Sequence, residues 1–545
     1  MADTPARRDA TDRDHGPRVE PSPPAEPGWV DDGPPGEPPW ANGDPPPGEP
    51  PWLDEAPHRG PVDAILAGLD AEQRRAVTHG EGPLLIVAGA GTGKTTVIAR
   101  RIAHLIATKR AHPAEILALT FTERAAAEME QRVDLLVPYG YTDTTIATFH
   151  AFGDRIVREH ALRLGLTDRP RLLAQAERVV FLRERLFRLP LRRLMPLASP
   201  TRHLRALLAV ISRAKDEAVL PADYLAYARR ALADLDRATD AARPGEGAGA
   251  ADDPGAHDPS ARRAALELEL EIAEVYRVYQ EELERAGCMD FGDQILVALR
   301  ILRECPDVAE QLGRSFRYIL VDEFQDTNVA QYELLRLLAR QHRNLTVVGD
   351  DDQSIYRFRG AAISNILGFT RDHPERELLV LRRNYRSGQR ILDAAHRLIR
   401  YNDPDRLEVR EGIDKRLESQ VAAPGVVEYA HHPTLRAEAD ALATRIGELV
   451  EDGGRRYRDI AVLVRSNQDA QPFVQALEAA GIPHQVSGNQ GLYGRPEVQF
   501  AVAFLRAVTR RDDDQSLYLL ATSDLYGVPV DDLVRLNDAA RGGHL

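Results

Sequence analysis

A chain of 545 residues is long enough for several packed domains, and its formal net charge of −14 excludes a uniformly basic nucleic-acid coat while leaving room for a local basic channel. Its two cysteines, Cys288 and Cys305, exclude a disulfide framework and a four-cysteine metal cluster, and they point to a reducing cytoplasm. No apolar run reaches the roughly 18 residues that span a bilayer, and the N-terminus has no apolar signal core.

Residues 1–61 hold 17 of the 37 prolines and all three tryptophans, Trp29, Trp40 and Trp52. A near-repeat, DGPPGEPPW at 32–40 and DPPPGEPPW at 44–52, lies within this stretch. So little apolar surface cannot order a chain, which predicts a disordered tail. The alternative is a partner-binding arm with spaced tryptophans on a polyproline-like rod. Residues 1–58 carry 13 acidic residues and four arginines, so most of the net charge sits here. Only four lysines occur, Lys94, Lys109, Lys215 and Lys415, against 66 arginines.

Ordered sequence begins near Val62. LDAEQRRAV, from Leu69 to Val77, predicts a helix start with Asp70 as its N-cap. Gln73 follows, a surface glutamine on its own, or an amide able to read an adenine edge. Leu84 to Val87 is an apolar run suited to a buried parallel strand. It opens into Ala88, Gly89, Ala90, Gly91, Thr92, Gly93, Lys94, Thr95 and Thr96, then a helix to Ala107. Backbone N–H groups of such a loop curl around phosphates, helped by the helix dipole. Lys94 adds a cation for the β- and γ-phosphates, and Thr95 a hydroxyl for Mg²⁺. The pattern departs from the usual P-loop in having Ala88 at its first position.

Ile116–Thr120 and Thr145–Thr148 are two further strands. Phe121 follows the first, and Phe149 and His150 the second, each at the edge where open α/β sheets bind ligands; as isolated residues they would equally be core. Residues 168–287 are helical and Arg-rich, interrupted by a low-complexity stretch at 240–260 read as a mobile loop. Arg317–Val321 is a buried strand ending in Asp322 and Glu323. A strand-end acidic pair beside a P-loop provides one carboxylate for Mg²⁺ and one to deprotonate the attacking water. Leu345–Val348 leads to GDDDQSIYRFRGA (349–361), and Leu378–Leu381 to Asn384-Tyr385-Arg386-Ser387. A second α/β unit is predicted from strands at 426–429 and 460–464 and helices at 437–450 and 470–480.

Taken in order, TFTERAAAEM (120–129), TFHAF (148–152), VDEFQDTN (321–328), GDDDQSIYRFRGA and NYRS resemble the UvrD/PcrA/Rep family of superfamily-one DNA helicases, over Leu69 to about Val508. The resemblance implies an α/β protein with two RecA-like P-loop motor domains, ATP and Mg²⁺ between them, and a helical insertion in each. The division is then a tail at 1–61, a first motor domain at 62–167 and 288–375, its insertion at 168–287, a second motor domain at 376–508, and the start of its insertion at 509–545. The later family motifs, a TxHxxKGLE-like and a TRA-like segment, do not occur in these 545 residues. The second motor domain is therefore read as incomplete and the chain as the N-terminal portion of a longer helicase.

By resemblance, Gln73 reads adenine and Tyr385 stacks on it. Lys94 and Thr95 take phosphate and magnesium, Asp322 is the second magnesium contact, and Glu323 is the catalytic base. Gln353 senses the γ-phosphate and Arg386 is an arginine finger. Phe121, Tyr356 and Phe358 stack on single-strand bases, Thr148 binds DNA beside them, and His150 and Arg359 couple the DNA groove to the ATP cleft. Three positions depart from the family: Phe358 for tryptophan, Thr96 for arginine, and DFGD at 290–293 for DFDD. The expected activity is ATP-driven 3′–5′ movement on single-stranded DNA and unwinding at single/double-strand junctions. Two other readings remain: the motor of a RecB-like helicase–nuclease, or an ATP- and DNA-binding scaffold that recruits a partner through the tail.

Overall fold

The computed structural model describes residues 61–137, 143–194, 203–241, 259–355, 363–486 and 496–509, with 513–523, 525–529, 531–533 and 535. Apart from Pro61, the tail lies outside the described residues, as does most of the low-complexity stretch at 240–260. The strands are β1 (Leu84–Ala88), β2 (Ile116–Thr120), β3 (Thr145–Thr148), β4 (Arg171–Leu172), β5 (Cys288–Met289), β6 (Tyr318–Val321), β7 (Leu345–Gly349), β8 (Glu377–Leu381), β9 (Arg383–Asn384) and β10 (Glu418–Ser419). Six of them form one sheet in the order β3-β2-β6-β7-β1-β8. All of its pairings are parallel, and Ile86 of β1 lies between Val348 of β7 and Leu379 of β8.

The strands read as unbroken apolar runs because both faces of the sheet are covered. Alternate residues serve opposite faces. Leu85, Val87, Leu117, Leu119, Ile319 and Val321 pack on one side, with Phe149, Phe152 and the helix Phe291–Glu304. Leu84, Ile86, Ala88, Ile116 and Ala118 pack on the other, with Val97, Ile98 and Ile102 of the helix Lys94–Ala107. β8, which follows the boundary expected at residue 375, pairs with β1 in this sheet.

The helical insertion has its own core. Phe181, Leu207, Ile211, Tyr276, Tyr279 and Leu283 meet there, drawn from the helices Gln175–Glu184, Leu204–Asp216 and Pro259–Arg285. A buried charge cluster joins it to the sheet domain. Lys215 Nζ donates to Asp290 Oδ1 at 3.0 Å and to Asp293 Oδ1 at 2.7 Å, and Tyr279 Oη donates to Asp290 Oδ2 at 3.0 Å. Buried charges persist only when paired in this way. The cluster also accounts for the DFGD departure. A Cβ on Gly292 would come within 2.9 Å of Lys215 Cδ and 3.0 Å of its Cβ, so a glycine there makes room for the lysine.

The second unit departs from expectation. Its helices form at Leu435–Glu451 and Gln471–Ala479 and share a small core of Ala439, Ala443, Ile446, Ala476, Leu477 and Ile482. The strands expected at 426–429 and 460–464 do not form. Neither run has a ladder partner among the described residues, and Val427, Tyr429 and Leu463 are exposed. An apolar run is a strand only when a neighbour takes up its N–H and C=O groups. Beyond residue 495 the described segments are the helices Pro496–Thr509 and Asp514–Ala521 and short stretches after them.

Candidate nucleotide site

The C-terminal ends of β1, β6 and β7, joined by the segment after β8, surround a cavity of about 620 Å³. β1 delivers the P-loop. Ala88 is still in the strand, fully buried and paired with Leu381, so glycine is not needed there. Gly91 and Gly93 adopt φ of 82° and 85°, a region glycine enters at little cost. A Cβ on Gly91 would lie 2.7 Å from Arg386 Cβ, and one on Gly93 3.0 Å from Gln73 Nε2. Thr92 Oγ1 donates to Gly89 O at 2.8 Å and closes the turn. Gly89 packs against Leu417, and Ala90 lines the cavity.

The helix Lys94–Ala107 begins on this loop. Lys94 Nζ donates to Glu323 Oε2 at 2.5 Å and to Gln353 Oε1 at 3.2 Å. Thr95 Oγ1 donates to Asp322 Oδ2 at 3.2 Å. Asp322 is buried beneath Glu323. Burial, then the Glu323 charge, pushes its carboxyl up to about 6, against the pull of Lys94 and Thr95. Glu323 stands in the left-handed region, φ 50°, where a non-glycine residue needs support from its surroundings. Gln325 Nε2 supplies some of it, donating to Glu323 Oε2 at 2.8 Å.

Gln73 and Tyr385 form the opposite wall. Asp70 and Gln73 make a capping box on the helix Ala71–Thr78, and Gln73 Nε2 donates to Thr92 O at 2.9 Å. Tyr385 is half-exposed; its hydroxyl donates to Asp70 Oδ2 at 2.8 Å and its N–H to Gly91 O at 2.9 Å. Arg386 lines the cavity beside Gly91.

Three residues take part in the site in ways the sequence did not assign, and one of them, Arg132, was not singled out at all. Asn384 is fully buried. It donates to Ala90 O at 2.6 Å, and its Oδ1 accepts from the N–H groups of Arg386 and Ser387 at 2.9 and 2.8 Å. Asp70 ties Tyr385 to the cap of Gln73. Arg132 lines the cavity and donates to Thr96 Oγ1 at 3.3 Å. A guanidinium from the next helix thus stands beside Thr96, where the family pattern has its own arginine. The spacing Glu128–Arg132, an i,i+4 ion pair here, was the available signal.

The remaining expected residues divide. Phe121 sits at the end of β2, half-buried. Thr148 is buried; its hydroxyl caps Ala151 N–H at 3.1 Å and donates to Glu123 Oε1 at 2.8 Å. His150 meets the half-exposed ring of Phe291 edge-on at 6.2 Å, and burial holds its imidazole below the usual histidine range. Tyr356, Phe358 and Arg359 lie outside the described residues.

A parallel sheet with a P-loop at the end of β1 and an acidic pair at the end of β6, with β7 between them, defines the class of P-loop nucleotide-binding folds. Residues 69–374 match the UvrD/REP helicase N-terminal domain and residues 379–542 the UvrD-like helicase C-terminal domain. The chain belongs to the UvrD/REP helicase family. It is 34% identical over 483 residues to the ATP-dependent DNA helicase PcrA of Leuconostoc citreum, covering 88% of this chain and 58% of that protein. It is 35% identical to PcrA of Bacillus subtilis, covering 87% and 57%. To the ATP-dependent DNA helicase UvrD1 of Mycobacterium bovis it is 36% identical, covering 87% and 56%. The chain therefore spans a little over half the length of these relatives. No described helix is long and apolar enough to cross a membrane.

Proposed function

We propose that this chain is the ATP-hydrolysing motor portion of a UvrD-type DNA helicase, coupling hydrolysis to 3′–5′ movement along single-stranded DNA and to unwinding at single/double-strand junctions. The convergence of Gln73, Lys94, Thr95, Asp322, Glu323, Gln353, Tyr385 and Arg386 on one cavity carries this reading. The cavity fits a nucleoside triphosphate: a glycine cradle that a Cβ would fill, a lysine at its base, and an aromatic ring at its rim.

On this reading the ammonium of Lys94 leaves Glu323 for the phosphate oxygens. Glu323 then accepts a proton from the attacking water, the role of a positioned carboxylate. Gln353 contacts the γ-phosphate, and Arg386 offsets charge developing on the transferred phosphoryl, a contribution of roughly 10³ or more in such enzymes. Tyr385 faces the base and Gln73 its edge. Thr95 and Asp322 would hold Mg²⁺ through hard oxygen donors, and the ion would supply charge neutralisation at the β- and γ-oxygens. Phe121, with Tyr356 and Phe358, would stack single-strand bases, and Thr148, His150 and Arg359 would line the same path.

The apposition of Lys94 and Glu323 disfavours a scaffold that only binds ATP, because such a scaffold needs no base at the phosphate lysine. The test is phosphate release by the purified chain with and without oligo-dT, beside strand displacement on a duplex with a 3′ tail. A folded chain that binds no ATP overturns the motor reading, and 5′–3′ movement overturns the polarity.

A further inference from the structure

Asp350, Asp351 and Asp352 stand in a row, with one oxygen from each within 4.8 Å of the others. Three carboxylates so close demand a positive partner. It is Lys415, buried, whose Nζ lies 2.6 Å from Asp350 Oδ1, 2.5 Å from Asp351 Oδ1 and 2.8 Å from Asp352 Oδ2. Burial opposes its charge, yet the three aspartates outweigh burial and hold its pKa above the ordinary lysine value. A compact ammonium with three rotatable donors suits this arrangement; a planar guanidinium does not.

The cluster continues into the nucleotide cavity. Asp350 Oδ2 accepts from Gln353 Nε2 at 2.7 Å. That contact leaves Gln353 Oε1 facing Lys94 Nζ at 3.2 Å. The amide therefore has one sense of rotation, fixed by Asp350 on one side and Lys94 on the other. The chain around Lys415 is anchored at several points. Arg406 makes a bidentate pair with Asp352, at 2.7 Å for both contacts, and Leu407 N–H donates to Asp351 Oδ2 at 2.8 Å. Leu417 packs on Gly89 of the P-loop. β10 pairs with β9, setting Ser419 opposite Asn384, and Ser419 Oγ donates to Ser387 O at 2.8 Å. One segment thus touches the P-loop, the turn bearing Gln353 and the strand leading to Arg386.

We propose that Arg406–Ser419 is a strap that sets these three loops relative to one another, with Lys415 as the positioning residue that orients the Gln353 amide toward the γ-phosphate. This rests on the ATP-hydrolysis reading above. Without Lys415, Asp350 Oδ1 loses its cation and is left with the Asp352 N–H at 3.2 Å, a weaker hold on the carboxylate that fixes the Gln353 amide. The residues proposed for the base and the P-loop lysine, Gln73, Tyr385 and Lys94, are not among the ion-pair partners of Lys415.

The experiment measures affinity of the 545-residue chain for ADP and for ATPγS, using Lys415→Met, Asp350→Asn and Gln353→Ala variants. Lys415→Met should keep ADP affinity within about twofold and lose most of the preference for ATPγS over ADP. Combining it with Gln353→Ala should cost nothing further, because both act through one amide. Asp350→Asn keeps the shape of the turn and carries the test if the loss of Lys415 prevents folding. A folded variant with wild-type γ-phosphate preference, equal loss of both affinities, or additive loss in the double variant overturns the proposal. Failure of the wild-type chain to bind ATPγS counts instead against the hydrolysis reading.

Discussion

The ammonium of Lys94 and the carboxylate of Glu323 are in direct contact, with Nζ 2.5 Å from Oε2. The lysine proposed to bind phosphate and the proposed catalytic base therefore neutralise each other. On the proposed reading, a triphosphate entering the loop would compete with Glu323 for that cation, and success would free the carboxylate to take a proton. Phosphate binding and release of the base would then be one event.

This pairing sets the first prediction. Glu323→Gln should lower ATP turnover about a hundredfold or more, since a positioned base contributes on that scale. It should leave nucleotide affinity equal to wild type or severalfold tighter, because Lys94 no longer has a carboxylate to leave. Phosphate-release kinetics and titration with a fluorescent ATP analogue check the two parts. Markedly weaker binding would mean that the pair builds the site instead of competing within it.

Gly91 and Gly68 offer a matched comparison. Both have positive φ, 82° and 72°, but a Cβ on Gly91 collides with Arg386 and Asn384, whereas one on Gly68 meets nothing within 4 Å. Gly68→Ala should cost only backbone strain, roughly 1 kcal/mol. Gly91→Ala adds the overpacking penalty of about 1–3 kcal/mol and should displace Arg386. Denaturant melts separate the stabilities. If nucleotide turnover responds alike in both variants, the close approach of Arg386 to the P-loop does not matter.

Asp322 carries a pH dependence. Its carboxyl is raised to about 6, mainly by burial and then by Glu323, with Lys94 and Thr95 on the opposing side. The folded chain therefore binds this proton more tightly than the unfolded chain, whose aspartate titrates near 3.9. Below about pH 4 both states hold the proton; as pH rises from there to about 6, the folded state loses stability relative to the unfolded one. Asp322→Asn removes the cost and should raise the melting temperature at pH 8 by several degrees, from about 3 kcal/mol, while abolishing Mg²⁺-dependent turnover. A variant melting lower at pH 8 than wild type would show that the carboxylate is instead stabilising.

Arg132 provides a test at the rim. Arg132→Ala should weaken ATP binding about five- to tenfold, as expected for loss of a charge-assisted contact, with little change in melting temperature because the side chain is half-exposed. Isothermal titration measures it. Unchanged affinity would assign Arg132 to its ion pair with Glu128 alone.

Much of the sheet was legible because buried parallel strands announce themselves as apolar runs closed by functional loops. β2 and β3 fall at the expected residues, and β1, β6, β7 and β8 are each shifted by no more than one residue. The cap at Asp70 was legible for the same reason, since the acceptor must sit just before the first helical turn. The runs at 426–429 and 460–464 misled because an apolar run becomes a strand only where a neighbour takes up its backbone groups, and neither finds one among the described residues. The strap was invisible for another reason: Lys415 lies far from the aspartates in sequence, and no local pattern joins them. A hint existed in composition. Of the four lysines in an arginine-dominated chain, Lys94, Lys215 and Lys415 are buried against acidic side chains. Arginine was the default cation, and lysine survived where a small ammonium had to fit.

The edge position of β8 has a mechanical consequence. Leu381 ends that strand, and Arg386 follows five residues later, so a fully stretched backbone lets its Cα travel at most about 17 Å from the sheet. This tether is covalent, indifferent to salt, pH or nucleotide. Whatever the loops around it do, the arginine stays on a short leash, within a search volume only a few nanometres across.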